Sequence, residues 1–146
     1  MILEPELAQL IIDKVTDVII RLNEIYLNTI SKYIDIIEIP GDDYGGMEDI
    51  LILPAIFEKM LRPVLKRIIR PIKKFRGDLF VAFHNDGPIM KLLESFIELG
   101  IDILHPIEPL QANDMKFIKE KYGHKLAFMG AIDIKKALPG SIGDIE

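Results

Sequence analysis

At 146 residues with 49% apolar side chains, the chain has the material for one domain with a sizeable core. Its net charge of −5 creates no field favouring nucleic acid or an anionic membrane. The lack of cysteine removes disulfides, thiolate ligands and cysteine nucleophiles, and matches a reducing, cytoplasmic setting. Glu4 and Glu6 stand where a secretory signal would be positive, and no apolar run approaches the roughly 18 residues of a membrane helix.

The first predicted element is a long helix from Glu4 to Tyr33, started by Pro5. Leu7, Leu10, Ile11, Val15, Val18, Leu22 and Ile25 recur in it at helical spacing. A strand, Asp35 to Ile39, breaks at Pro40-Gly41 and enters the loop Gly41-Asp42-Asp43-Tyr44-Gly45-Gly46. Pro54 opens a second helix to about Phe75, kinked by Pro63 and ended or bent at Pro71. Next come the strand Leu79 to Phe83, a helix from Pro88 to a left-handed cap at Gly100, and the strand Ile101 to Leu104. A short helix near Asn113 to Tyr122 precedes the last strand, Leu126 to Met129. Asp133 to Ala137 suggests one further helical turn, and Ser141 to Ile145 the cap of another helix.

The alternation αβαβαβαβ calls for a parallel sheet with right-handed crossovers. The strands read as continuously apolar, the pattern of strands covered on both faces. A closed eight-stranded barrel needs about 200 residues or more. Four strands in one α/β domain over residues 1–146 therefore suggest parallel βα units forming about half of a TIM-type (β/α)8 barrel.

All four strands run into polar residues at their carboxyl ends: Gly41-Asp42-Asp43, His84-Asn85-Asp86-Gly87, His105-Pro106-Ile107-Glu108 and Gly130-Ala131-Ile132-Asp133. A parallel barrel builds its active site at those ends. His84 and Asp86 are two residues apart, so both can face the barrel mouth, with Glu108 as a third ligand or an acceptor behind them. The alternative is a turn organised by bonds to loop amides. Asp42 and Asp43 suit a general base or a substrate contact, or simply accept from turn amides; the latter fits Asp43 better and leaves Asp42 open. Asp133 would reach substrate or, as the preferred reading, cap the next turn. His105 would point into the barrel or hold a structural hydrogen bond, and His124 lies at the opposite end. The basic run Arg62, Lys66, Arg67, Arg70, Lys73, Lys74 and Arg76 reads as a solvated helix face, since no nucleic-acid or nucleotide motif accompanies it.

These landmarks together resemble the uroporphyrinogen decarboxylase superfamily, which includes methylcobamide:coenzyme M methyltransferases. The matching stretches are Glu4-Pro5-Glu6-Leu7, Asp35-Ile36-Ile37-Glu38 into Gly41-Asp42-Asp43, Pro54 with Pro63, His84-x-Asp86-Gly87, Gly100 to Pro106, Lys119-x-x-Tyr122-Gly123 and Gly130-x-Ile132-Asp133. The resemblance implies the fourth to seventh strands of a (β/α)8 barrel. It also implies a small-molecule substrate, either a tetrapyrrole or a methyl donor with a thiol acceptor.

The segment His105-Pro106-Ile107-Glu108-Pro109 is closer to the methyltransferase-like branch, where a His-x-Cys pair binds zinc. Here Asp86 stands at the cysteine position, giving a harder site. The resulting expectations are His84, Asp86 and Glu108 as metal ligands for zinc, Asp42 and Asp133 as catalytic groups, and His105 and Asp43 as substrate-facing residues. A homodimer or companion chain would complete the barrel. A non-catalytic interaction module is the alternative.

Overall fold

A computed structural model of the chain describes residues 3–46, 48–133, 138–141 and 143. Helix α1 (Pro5–Ile30) leads through a 3-10 turn to strand β1 (Ile36–Ile39). A helical segment follows as α2 (Pro54–Ile56), a π-helical turn (Phe57–Leu61) and α3 (Arg62–Phe75). Then come β2 (Phe80–His84), α4 (Leu93–Leu99), β3 (Ile103–Ile107), α5 (Met115–Tyr122) and β4 (Ala127–Gly130). All four strands are parallel neighbours in the order β1-β2-β3-β4, as the alternating pattern predicts for a partial TIM-type barrel. Of the turns expected from Asp133 to Ala137 and from Ser141 to Ile145, residues 134–137, 142, 144 and 145 lie outside the described residues. No helix among the described residues is long and apolar enough to cross a membrane.

Local chemistry accounts for most element boundaries. Pro63 falls in the first turn of α3, where a missing N–H costs nothing, and the π turn before it absorbs the change of register. Pro71 does not end the helix. Buried Ile68, Ile69 and Ile72 hold its flanks against the sheet, and α3 continues to Phe75. Gly100 closes α4 with φ +90°, in the left-handed region. Strand β3 begins two residues later than predicted and extends through the cis His105–Pro106 bond. His105 therefore lies within the strand rather than at its end.

The helices pack on one face of the sheet, as half of a barrel would leave it. One core unites Ile37, Ile39, Val81, Phe83, Leu104 and Ile107 of the strands with Leu27, Leu65, Ile72, Leu93, Phe96 and Ile118 of the helices. The alternate residues Ile36, Glu38, Phe80, Ala82, His84, Ile103 and His105 point to the opposite face, where Ala82 and Ile103 in the middle strands are still buried. Ile36, Phe80 and Met129 are exposed there. The strands read as continuously apolar because that open face is itself apolar over its lower half.

Helix α1 is inverted in a similar way. Its predicted stripe, Leu7 to Ile25, faces outward, each of the seven residues 45–59% exposed. A second face, with Thr16, Asn23 and Leu27 buried and Ile12, Ile19 and Ile20 partly buried, packs inward. Periodicity cannot choose between two apolar faces of one helix. Ion pairs accompany the choice here: the Arg67 guanidinium donates to Asp13 and Asp17, both at 2.7 Å, one turn apart on α1.

The other cations of α3 and of its C-terminal cap also tie elements together. Arg62 pairs with Glu58 and Glu98, and Arg76 with Asp78 and with the carbonyls of Ser31 and Ile34. Lys73 donates to Asp102, whose Oδ2 also accepts the Val81 N–H at 2.7 Å. Asp102 thereby joins α3, β2 and β3 at the amino ends of the strands.

Candidate functional site

The polar residues of the open face gather at the strand carboxyl ends because the ladder register puts them there. His84 is the direct partner of His105 across β2 and β3, and Ala82, two residues before His84, pairs with Glu38 of β1. The imidazole rings meet edge to face with centroids 5.6 Å apart. Glu38 Oε1 lies 3.6 Å from His105 Nδ1 and 3.9 Å from His84 Nδ1, too far for hydrogen bonds to either. His105 Nδ1 is buried and has no hydrogen-bond partner. The other edge of His84 faces acids, its Nε2 lying 3.5 Å from Asp86 Oδ2 and 4.0 Å from Asp43 Oδ1. His84 thus stands between two acidic groupings.

Three loops hold this geometry through two buried asparagines. Asn85 Oδ1 accepts the Tyr44 N–H at 2.9 Å, and its amide donates to the Asp86 carbonyl at 2.7 Å. Asn113 Oδ1 accepts the Ile89 N–H, while its amide donates to the carbonyls of Gly87 and Glu108, each at 3.1 Å. Glu108 Oε2 accepts the Gly87 N–H at 2.7 Å, and Asp43 Oδ1 accepts the Asp86 N–H at 3.2 Å. Gly87 turns the chain at φ +82°, a conformation suited to glycine.

Among the described residues, two sets place three possible ligand atoms within 4.8 Å of one another: Glu38, His84 and His105, and Asp43, His84 and Asp86. His84 belongs to both. Glu108, expected as a ligand, enters neither set and has one oxygen on the Gly87 amide. Zinc chemistry fits the donors, since two imidazoles with a carboxylate form a recognised catalytic ligand set. The orphaned His105 nitrogen agrees with that fit.

Asp42 lies apart from the histidines. It lines an apolar cleft of about 710 Å³ with Ile12, Tyr44, Leu51, Leu53 and Leu61. Burial, chiefly, pushes its carboxyl above the ordinary value, and the neighbouring Asp43 charge adds to this. The Tyr44 hydroxyl, donating at 3.4 Å, opposes it. The folded carboxyl therefore holds its proton more tightly than the unfolded one. The stability it contributes is complete below the unfolded pKa and is lost as pH rises through the folded pKa. Asp42→Asn is expected to abolish that loss. Thermal midpoints measured from pH 3 upward should show wild type falling relative to the variant just above the ordinary value of 3.8. Parallel curves would reject it. Asp133 follows β4, with its carbonyl accepting the Leu138 N–H, and joins neither ligand set.

The sequence matches the uroporphyrinogen decarboxylase (URO-D) family over residues 1–146. The chain belongs to the uroporphyrinogen decarboxylase family. No curated protein and no solved structure matches it. Within the URO-D domain, sequence reasoning did not assign Glu38, Tyr44, Asn85 or Asn113. Glu38 had a usable signal, since it is the one acid inside Ile36-Ile37-Glu38-Ile39. The asparagines had none, because the partners that join separate loops, the backbone groups of Tyr44, Ile89 and Gly87, are distant in the chain.

Proposed function

We propose that this URO-D family chain supplies the substrate-facing half of a barrel enzyme, closest to the methyltransferase-like branch. In this reading it transfers a methyl group from a small-molecule donor to a thiol acceptor, in the cytoplasm, once further βα units cover its open face. The observation that carries the reading is the pairing of His84 with His105, next to Glu38, at the carboxyl ends of adjacent parallel strands. The branch assignment rests on the His84-x-Asp86 turn and the His105 to Pro109 segment. Asp42 and Asp133 serve as its candidate catalytic groups and Asp43 as a substrate contact. Tetrapyrrole decarboxylation is the family alternative for the same mouth.

The covering partner is a second copy or a companion chain. It would bury the stripe on α1 and the exposed Ile36, Phe80 and Met129. Size-exclusion chromatography with light scattering should show assembly. A dilute monomer that binds no apolar dye would sink this part of the reading. Thiol methylation and tetrapyrrole decarboxylation assays on the assembled protein, with His84→Ala as control, test the chemistry. Activity abolished by His84→Ala supports the enzyme.

One observation favours a second reading as a non-catalytic interaction module: the open face carries the exposed apolar residues Ile36, Phe80 and Met129 beside its polar end. An assembled protein inactive in both assays, with His84→Ala assembling equally well, would select it.

A further inference from the structure

We propose that Glu38, His84 and His105 form a three-ligand centre for a divalent transition-metal ion, with Asp86 and Asp43 orienting His84 from behind. This ligand set shares only His84 with the one that the family resemblance implies. It needs no atom from outside the chain, so it stands or falls separately from the assembly and activity proposed above.

Spacing is the first support. Ligand atoms bound at about 2.0–2.2 Å in tetrahedral geometry lie roughly 3.4 Å apart. Glu38 Oε1 is 3.6 Å from one Nδ1 and 3.9 Å from the other, within about half an ångström of that spacing, and all three residues offer ligand atoms within 4.8 Å of one another. Neither distance suits a direct hydrogen bond. The second support is the bare His105 Nδ1, buried without a partner and facing Glu38. A buried polar nitrogen left unpaired is costly, and an ion on its lone pair would remove that cost.

The third support is the far side of His84. A ligating imidazole commonly donates its other N–H to a carboxylate, which fixes the ring and makes the ligand more basic. With Nδ1 toward Glu38 and His105, His84 Nε2 faces Asp86 at 3.5 Å and Asp43 at 4.0 Å. The competing set, Asp43 with His84 and Asp86, is weaker for a physical reason. Asp43 Oδ1 already accepts the Asp86 N–H and helps set that loop. Two imidazoles and one carboxylate suit zinc or ferrous iron, and they leave a position open. A cavity of about 460 Å³, lined by Asn23, Tyr26, Glu38, Gly41 and His84, gives a small polar ligand access to that position. Asn23 Nδ2, also buried and unpaired, belongs to the same lining.

Calorimetric titration of the full chain with Zn²⁺ is expected to give one equivalent bound. Glu38→Gln and His105→Ala should each weaken binding by more than tenfold, and Asp86→Asn by about tenfold or less. Nitrogen-15 NMR of the zinc-loaded protein should place the ion on Nδ1 of both histidines. If His105→Ala does not fold, the nearly isosteric Glu38→Gln and the NMR assignment still decide. Absence of stoichiometric binding would overturn the proposal. So would binding through His84 Nε2 that is lost in Asp43→Asn or Asp86→Asn and untouched in Glu38→Gln.

Discussion

Phe96→Ala is expected to destabilise the fold by about 3–5 kcal/mol, the range for truncating a fully buried aromatic. Phe96 has no exposed surface, and its ring lies 5.2 Å from Phe83, 5.7 Å from Phe57 and 6.3 Å from Tyr44 between centroids. It is the meeting point of α4, the π turn, β2 and the loop after β1. Removing it leaves a cavity that three other rings border, and their packing prevents an easy collapse. Denaturant midpoints would measure the loss. The variant should also loosen Tyr44, whose N–H is anchored on Asn85 beside the His84 turn. A cost below about 1 kcal/mol would mean that the aromatic cluster is not the keystone of this end of the sheet.

Gly41→Ala is expected to strike both stability and the site. A Cβ at this position would fall 1.9 Å from the His84 carbonyl oxygen and 2.6 Å from its carbon. Both contacts are with backbone, so no side chain can swing aside. Either the loop after β1 or the end of β2 must retreat, at a cost of about 1–3 kcal/mol. The movement separates Glu38 from His84, because the contact lies between the segments that carry them. Paired denaturant and Zn²⁺ titrations would test the effect. A variant with wild-type values in both would show that the close approach does not set the site.

Much of the fold was legible from the sequence. Each strand is a short apolar run bounded by glycine or polar residues, and each intervening helix has a proline start or a glycine stop. What stayed hidden was which face each element buries. Helix α1 carries two apolar faces, and only its salt bridges to Arg67 and its packing on α3 distinguish them. The lower strands are apolar on both sides although only one side is covered. The reasons are non-local in both cases.

Residues of the candidate site were legible in proportion to how abruptly they end an apolar run. His84, Asp86 and His105 stood out for that reason, whereas Glu38 was absorbed into the strand that contains it. Its role depends on the register between β1 and β2, which puts Glu38 beside Ala82 and within reach of both histidines. Asn85 and Asn113 were hidden by their partners. An asparagine bound to backbone amides and carbonyls of other loops has no signature of its own.

The outward stripe of α1 has a thermodynamic consequence. Unfolding releases a heat-capacity increment and a denaturant response in proportion to the apolar surface that newly meets water. Leu7, Leu10, Ile11, Val15, Val18, Leu22 and Ile25 already meet it to about half their extent in the folded chain. The isolated chain should therefore unfold over a broad denaturant range, with a flatter stability curve than its apolar content suggests. Covering the stripe would sharpen the transition, so its cooperativity reports how completely that side of the molecule is enclosed.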